Sequence, residues 1–140
     1  MPRIIALDYG AKRTGIAVTD PLKIIASALT TVETKNLFVF LTNYFATEQV
    51  EALVIGFPTH LDGNDTHSTP LIRTFISQCK EKFPNLPIHL MDERFTSKLA
   101  VQAMIAGGMK KKDRQIKGNV DQISAVIILQ DFMRNPTPTC

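Results

Sequence analysis

A chain of 140 residues with 44% hydrophobic and 21% charged residues has the composition of an ordinary globular domain with a core of its own. No apolar run approaches the roughly 18 residues of a membrane-spanning helix, and Met1-Pro2-Arg3 enters an apolar run without a signal-peptide pattern. One cytoplasmic domain over residues 1–135, followed by a flexible tail at 136–140, is therefore expected. The net charge of +3 is modest but concentrated. Lys110, Lys111, Lys112, Arg114 and Lys117, with Asp113 against them, carry +4 in eight residues and leave −1 for the other 132. Such a patch on a nearly neutral body points to an anionic partner, although a solvated loop would carry the same charges. The two cysteines, Cys79 and Cys140, form no CxxC pair, which speaks against a zinc or redox role.

The first predicted element is a strand, Arg3 to Asp8, whose run Ile4-Ile5-Ala6-Leu7 reads as buried on both faces. It ends on an acid. An ionised carboxylate held out of water costs several kcal/mol or more unless paired, so Asp8 is either a turn residue facing solvent or the holder of a cation. After a turn over Tyr9 to Thr14, Gly15 to Thr19 reads as the second arm of a hairpin, and Ile25 to Val32 as a third strand. The period then changes. Leu37, Phe38, Phe40, Leu41, Tyr44 and Phe45 recur at helical spacing, with Asn36 as the expected N-cap. Ala52 to Ile55 follows as a short buried strand, broken by Gly56-Phe57-Pro58.

Asp62-Gly63 predicts a tight turn, prolonged by Asn64 and Asp65. His60 and His67 flank it, too few ligands for zinc. Thr69-Pro70 opens a helix with an N-cap and a first-position proline, and its core stripe is Ile72, Phe75, Ile76 and Cys79. Pro87 to Met91 is the fifth strand, ending in Asp92-Glu93. A short helix is expected from Thr96 or Ser97 to Ile105, stopped by Gly107-Gly108. Past the basic loop, Asn119-Val120-Asp121-Gln122 reads as a capping box, opening a helix with Val120, Ile123, Val126, Ile127 and Met133 inward. The order predicts an α/β fold: a five-stranded mixed sheet, an antiparallel meander plus parallel strands, with helices on both faces.

Asp8 and Glu93 lie at the carboxyl ends of buried strands, where sites gather in α/β sheets. Asp121 begins the helix expected to pack near those ends. Each has a structural alternative: a turn residue for Asp8, a surface ion pair beside Asp92 and Arg94 for Glu93, a complement to the helix dipole for Asp121. Together, three carboxylates at one rim repel each other unless cations neutralise them. Hard Mg²⁺ or Mn²⁺ suits this oxygen donor set, and such a site activates water for attack on phosphorus. Lys12, Arg13 and Arg94 beside the acids, with Lys110, Lys111, Lys112, Arg114 and Lys117, are candidates for holding a nucleic-acid backbone.

LDYGAKRTGIAV, GFPTHLDG, MDERFTS and KGNVDQISAVIIL resemble the successive motifs of the YqgF/RuvX family, RNase H-like proteins described as pre-16S rRNA nucleases and Holliday junction resolvases. The resemblance runs from about Ile4 to Phe132. It implies an RNase H-like fold, catalytic acids at Asp8, Glu93 and Asp121, and a role in maturing the 5′ end of small-subunit ribosomal RNA, with a ribosomal particle as a further partner. RuvC-type resolvases carry a second acid three residues on in the last helix. Here that position is Ser124, which favours RNA processing over junction cleavage. Two rivals share the residues: the phosphate-binding hairpin of actin-like ATPases, which D-x-G-x-K resembles, and a non-catalytic RNA-binding assembly factor. No feature fixes an oligomeric state.

Overall fold

The computed structural model describes residues 2–10, 12–57, 69–92 and 117–134. Five strands form one sheet: β1 (Arg3–Asp8), β2 (Arg13–Thr19), β3 (Ala26–Glu33), β4 (Val50–Phe57) and β5 (Ile88–Asp92), in the spatial order β3-β2-β1-β4-β5. The first three pair antiparallel, and β4 and β5 run parallel to β1. A 3₁₀ turn (Thr34–Asn36) leads from β3 into α1 (Leu37–Thr47); α2 (Thr69–Lys82) precedes β5, and α3 (Lys117–Arg134) closes the described chain. This is the mixed sheet that the element order predicts.

Alternation along each strand assigns the two faces. Ile5, Leu7, Ile16, Val18, Leu53, Ile55 and Ile88 form one buried cluster with Leu37 and Leu41 of α1 and Ile72, Phe75, Ile76 and Cys79 of α2. Ala6, Ala17 and Val54 pack on the other face against Ala125, Ile128, Leu129 and Phe132 of α3, which lies across β1, β2 and β3 and reaches β4. Helices thus cover both faces, and β1 is buried on both, as its continuous apolar run requires. Among the described residues no helix is long and apolar enough to cross a membrane.

Several boundaries differ from expectation. β2 begins at Arg13, because its backbone pairing with β3 extends to Arg13 opposite Glu33. β4 runs through Gly56 and Phe57, which pair with Met91 and Asp92, so Gly56 does not break the strand. Asn36 occupies the N-cap position of α1 without a side-chain cap bond, since the preceding 3₁₀ turn already leads the backbone into the helix. α3 starts at Lys117, two residues before the expected cap at Asn119. Its buried stripe is Ser124, Ala125, Ile128, Leu129 and Phe132, while Ile123, Val126, Ile127 and Met133 are only half-buried. The apolar residues run nearly all round this helix, so their pattern alone does not say which stripe meets the sheet. The expected helix at 96–105, the turn at 62–65, His60 and His67, and the tail at 136–140 lie outside the described residues.

Candidate active site at the carboxyl ends of the strands

The two rims of the sheet are finished differently. At the amino end of β1, Arg3 donates to the carbonyl of Thr19 at 3.0 Å and lies 3.4 Å from the Glu48 carboxylate. The Ile4 amide donates to the Thr19 hydroxyl at 2.9 Å. Side chains tie β1 to β2 and to the end of α1 at this rim. At the opposite rim β1 ends on Asp8, and β4 and β5 end on Phe57 and Asp92 beside it.

Asp8 is half-buried, and its cross-strand neighbours are Gly15 on β2 and Gly56 on β4. Both flanking positions therefore lack a side chain. Gly56 serves here by what it omits, a side chain beside the carboxylate, and both glycines are buried. The alternation fixes the face: Ile4, Ala6 and Asp8 lie on the side that α3 covers, and Ile4 and Ala6 pack against it. Tyr9 goes to the other side, where its ring meets Phe75 at 4.8 Å. Burial, and secondarily the Cys79 thiol, raise the Tyr9 phenol above its ordinary value, so it remains protonated at neutral pH. Tyr9 anchors the chain just beyond the acid.

The turn that follows is tightly bound. A Cβ on Gly10 would run into the backbone carbonyl oxygen of Arg13, so only glycine fits there. Thr34 holds the turn from the end of β3. Its hydroxyl donates to the Gly10 carbonyl at 2.6 Å, its amide donates to the Lys12 carbonyl at 2.9 Å, and the fully buried Thr14 hydroxyl lies 2.9 Å from its own. This clamp went unforeseen in the sequence; a lone threonine between a strand and a helix carries no signal until the hairpin folds back onto it.

In sheet order β4 separates β1 from β5, so the backbones of β1 and β5 lie about 10 Å apart. The register puts Met91 in the same row as Asp8 and Gly56. Glu93 is the second residue after Met91 and lies outside the described residues, as do Arg94, Lys110, Lys111, Lys112 and Arg114. Asp121 is the fifth residue of α3, three and four positions before the buried Ser124 and Ala125. Lys117 is the helix's first residue. Lys12 is exposed and Arg13 half-buried at the head of the hairpin. Among the described residues no three His, Cys, Asp or Glu side chains converge to hold an ion.

Comparison with known proteins gives a consistent picture. The family model described as RuvX, Holliday junction resolvase, matches residues 2–135. A protein of Flavobacterium psychrophilum named "Putative pre-16S rRNA nuclease" is 52% identical over 133 residues, covering 95% of this chain and 97% of that one. Its namesake in Christiangramia forsetii is 54% identical over 133 residues, with 95% and 98% covered. Among solved structures, T. thermophilus RuvC in complex with Holliday junction substrate superposes with a TM-score of 0.57 at 15% identity, covering all of both chains. At that identity the likeness establishes the fold, an RNase H-like one.

Proposed function

The chain belongs to the RuvX family, and from that premise we propose that it is a metal-dependent nuclease hydrolysing phosphodiester bonds, acting in the cytoplasm on the 5′ end of pre-16S rRNA, free or within a ribosomal particle. The observation that carries the reading is the glycine-flanked position of Asp8 on the face covered by α3. A turn-capping aspartate has no need of two empty neighbours in its row. A carboxylate that shares its charge with an ion and a phosphate does.

Asp8, Glu93 and Asp121 are the residues that would hold the ion. The donor set is all carboxylate oxygen, so Mg²⁺ or Mn²⁺ fits the residues present. When bound, such an ion supplies Lewis acidity toward the phosphoryl oxygens and a more acidic water. The chain's own residues do the rest. Lys12, Arg13 and Arg94 draw the backbone toward the rim, and Lys110, Lys111, Lys112, Arg114 and Lys117 hold it further along. The Thr34 clamp and the Tyr9–Phe75 contact keep Asp8 from moving when substrate arrives.

Cleavage of labelled precursor RNA in Mg²⁺ or Mn²⁺, against the same assay in EDTA, tests the reading. Asp8→Asn should lower the metal-dependent rate by more than about a hundredfold, since removal even of an outer-shell partner costs 10- to 100-fold. Its melting temperature in EDTA should be unchanged or higher, because one carboxylate repulsion is gone. Mn²⁺ should stabilise wild type, by about 2.7 kcal/mol at a hundredfold excess over Kd, and Asp8→Asn much less. Undiminished cleavage by purified Asp8→Asn protein would overturn the assignment. The family description favours a second reading, a junction-cleaving DNA endonuclease. Preferential cleavage of a four-way DNA junction over precursor RNA in the same assay would select it.

A further inference from the structure

Beside the Asp8 turn lies a cavity of about 500 Å³ lined by Lys12, Arg13, Glu33 and Lys35. Its walls come from two places in the chain: the head of the β1–β2 hairpin, and the end of β3 with the 3₁₀ turn. Thr34 ties the two together through three hydrogen bonds, so the backbone segments that carry the basic residues are held together before any ligand binds. Arg13 shares a strand face with Gly15, the neighbour of Asp8, and stands two residues beyond it. The backbone at Arg13 is then roughly 8 Å from that at Asp8. Three cations face one acid here. Glu33 lies across the sheet from Arg13, and its carboxylate sits 3.2 Å from the Lys35 ammonium. Both members of that ion pair are largely exposed, at 62% and 78%, so their mutual attraction is weak and an arriving anion can displace it.

We propose that this cavity is a phosphate subsite for the nucleic-acid strand running away from the scissile bond, with Lys35 as a backbone contact and Glu33 as its counterweight. The proposal rests on the nuclease reading and adds a direction to it: the strand leaves Asp8 across the hairpin toward the end of β3. Lys35 contributes one phosphate contact. Glu33 repels the same phosphate and partly neutralises Lys35, so the two residues act with opposite sign. A positive loop that merely solvates itself would show no such opposition.

The experiment is fluorescence-anisotropy titration of a labelled single-stranded RNA oligonucleotide across a salt series, in EDTA so that nothing is cut. Lys35→Gln should weaken binding at low salt and flatten the slope of log K against log salt by about 0.7, one single-strand phosphate contact. Glu33→Gln should tighten binding. Lys80→Gln, in the last turn of α2 at the other rim, serves as the equal-charge control and should leave affinity almost unchanged. Equal effects of Lys35→Gln and Lys80→Gln, or shifts of the same sign for Lys35→Gln and Glu33→Gln, would overturn the subsite. That failure is separable from failure of the nuclease reading, which is judged by Asp8→Asn cleavage alone.

Discussion

The two faces of the sheet are built from residues of different size. Toward α1 and α2 the strands present Ile5, Leu7, Ile16, Val18, Leu53 and Ile55, met by aromatic and aliphatic side chains in a thick apolar layer. Toward α3 they present Ala6, Ala17 and Val54, with Gly15 and Gly56 in the row of Asp8. The alanines Ala6 and Ala17 of the strands meet Ala125 of α3 on this face. The thick face supplies most of the burial that holds the fold. The thin face carries the row of Asp8, where the site is proposed. On the proposed reading, stability and chemistry are separated across a single layer of backbone, and substitutions on the two sides should fail in different ways.

The largest effect on stability is expected on the thick side. Leu53 is fully buried between the sheet and its helices, and Leu53→Ala should cost about 2–5 kcal/mol through lost transfer energy and the cavity left behind. Urea denaturation should show this, while cleavage per folded molecule stays near wild type. Overpacking the thin side should do the reverse. Ala17→Leu adds three carbons between β2 and α3, at a cost of about 1–3 kcal/mol. By pushing α3 off the sheet it should depress cleavage well beyond the loss of folded protein. If cleavage merely tracks the folded fraction, the close approach of α3 has no catalytic meaning.

A smaller effect sits on the same stripe of α3. The Ser124 hydroxyl is buried with no hydrogen-bond partner among the described residues, and an unsatisfied buried polar group costs about 1–3 kcal/mol. Ser124→Ala should therefore raise stability by about 1 kcal/mol, read as a higher urea midpoint at unchanged m-value.

The smallest effect is expected outside both faces, in the β2–β3 turn. The Asp20 carboxylate accepts the amides of Leu22, Ile24 and Ile25, at 3.2, 2.7 and 2.7 Å. These bonds, led by that from Ile25, hold its carboxyl below the ordinary value. A group depressed on folding stabilises the protein above its unfolded pKa, and that contribution is lost as pH falls through the folded one. Asp20→Asn should remove this part of the acid limb of a melting-temperature profile and leave cleavage at neutral pH alone. An acid limb identical to wild type would show that the turn is held by its backbone bonds.

What the sequence determined by itself was local and periodic. An apolar run ending in Asp8 carries a strand, its end and its acid in six residues. The core stripe of α2, Ile72, Phe75, Ile76 and Cys79, is legible because its other face is polar, and all four residues are buried in the fold. The family, too, was legible, since four motifs in order leave little room for coincidence. Where both sides of an element are apolar the periodicity loses its phase. The tertiary fold alone selected Ser124, Ala125 and Ile128 of α3 in place of Ile123 and Ile127. Register was likewise a tertiary decision: nothing in the chain says that Gly15 and Gly56 flank Asp8, because pairing is settled by every contact along the strands at once. The Thr34 clamp and the cavity at Lys35 belong to the same class. Their members are distant in sequence, each is unremarkable alone, and only the closing of the hairpin onto β3 makes them one site.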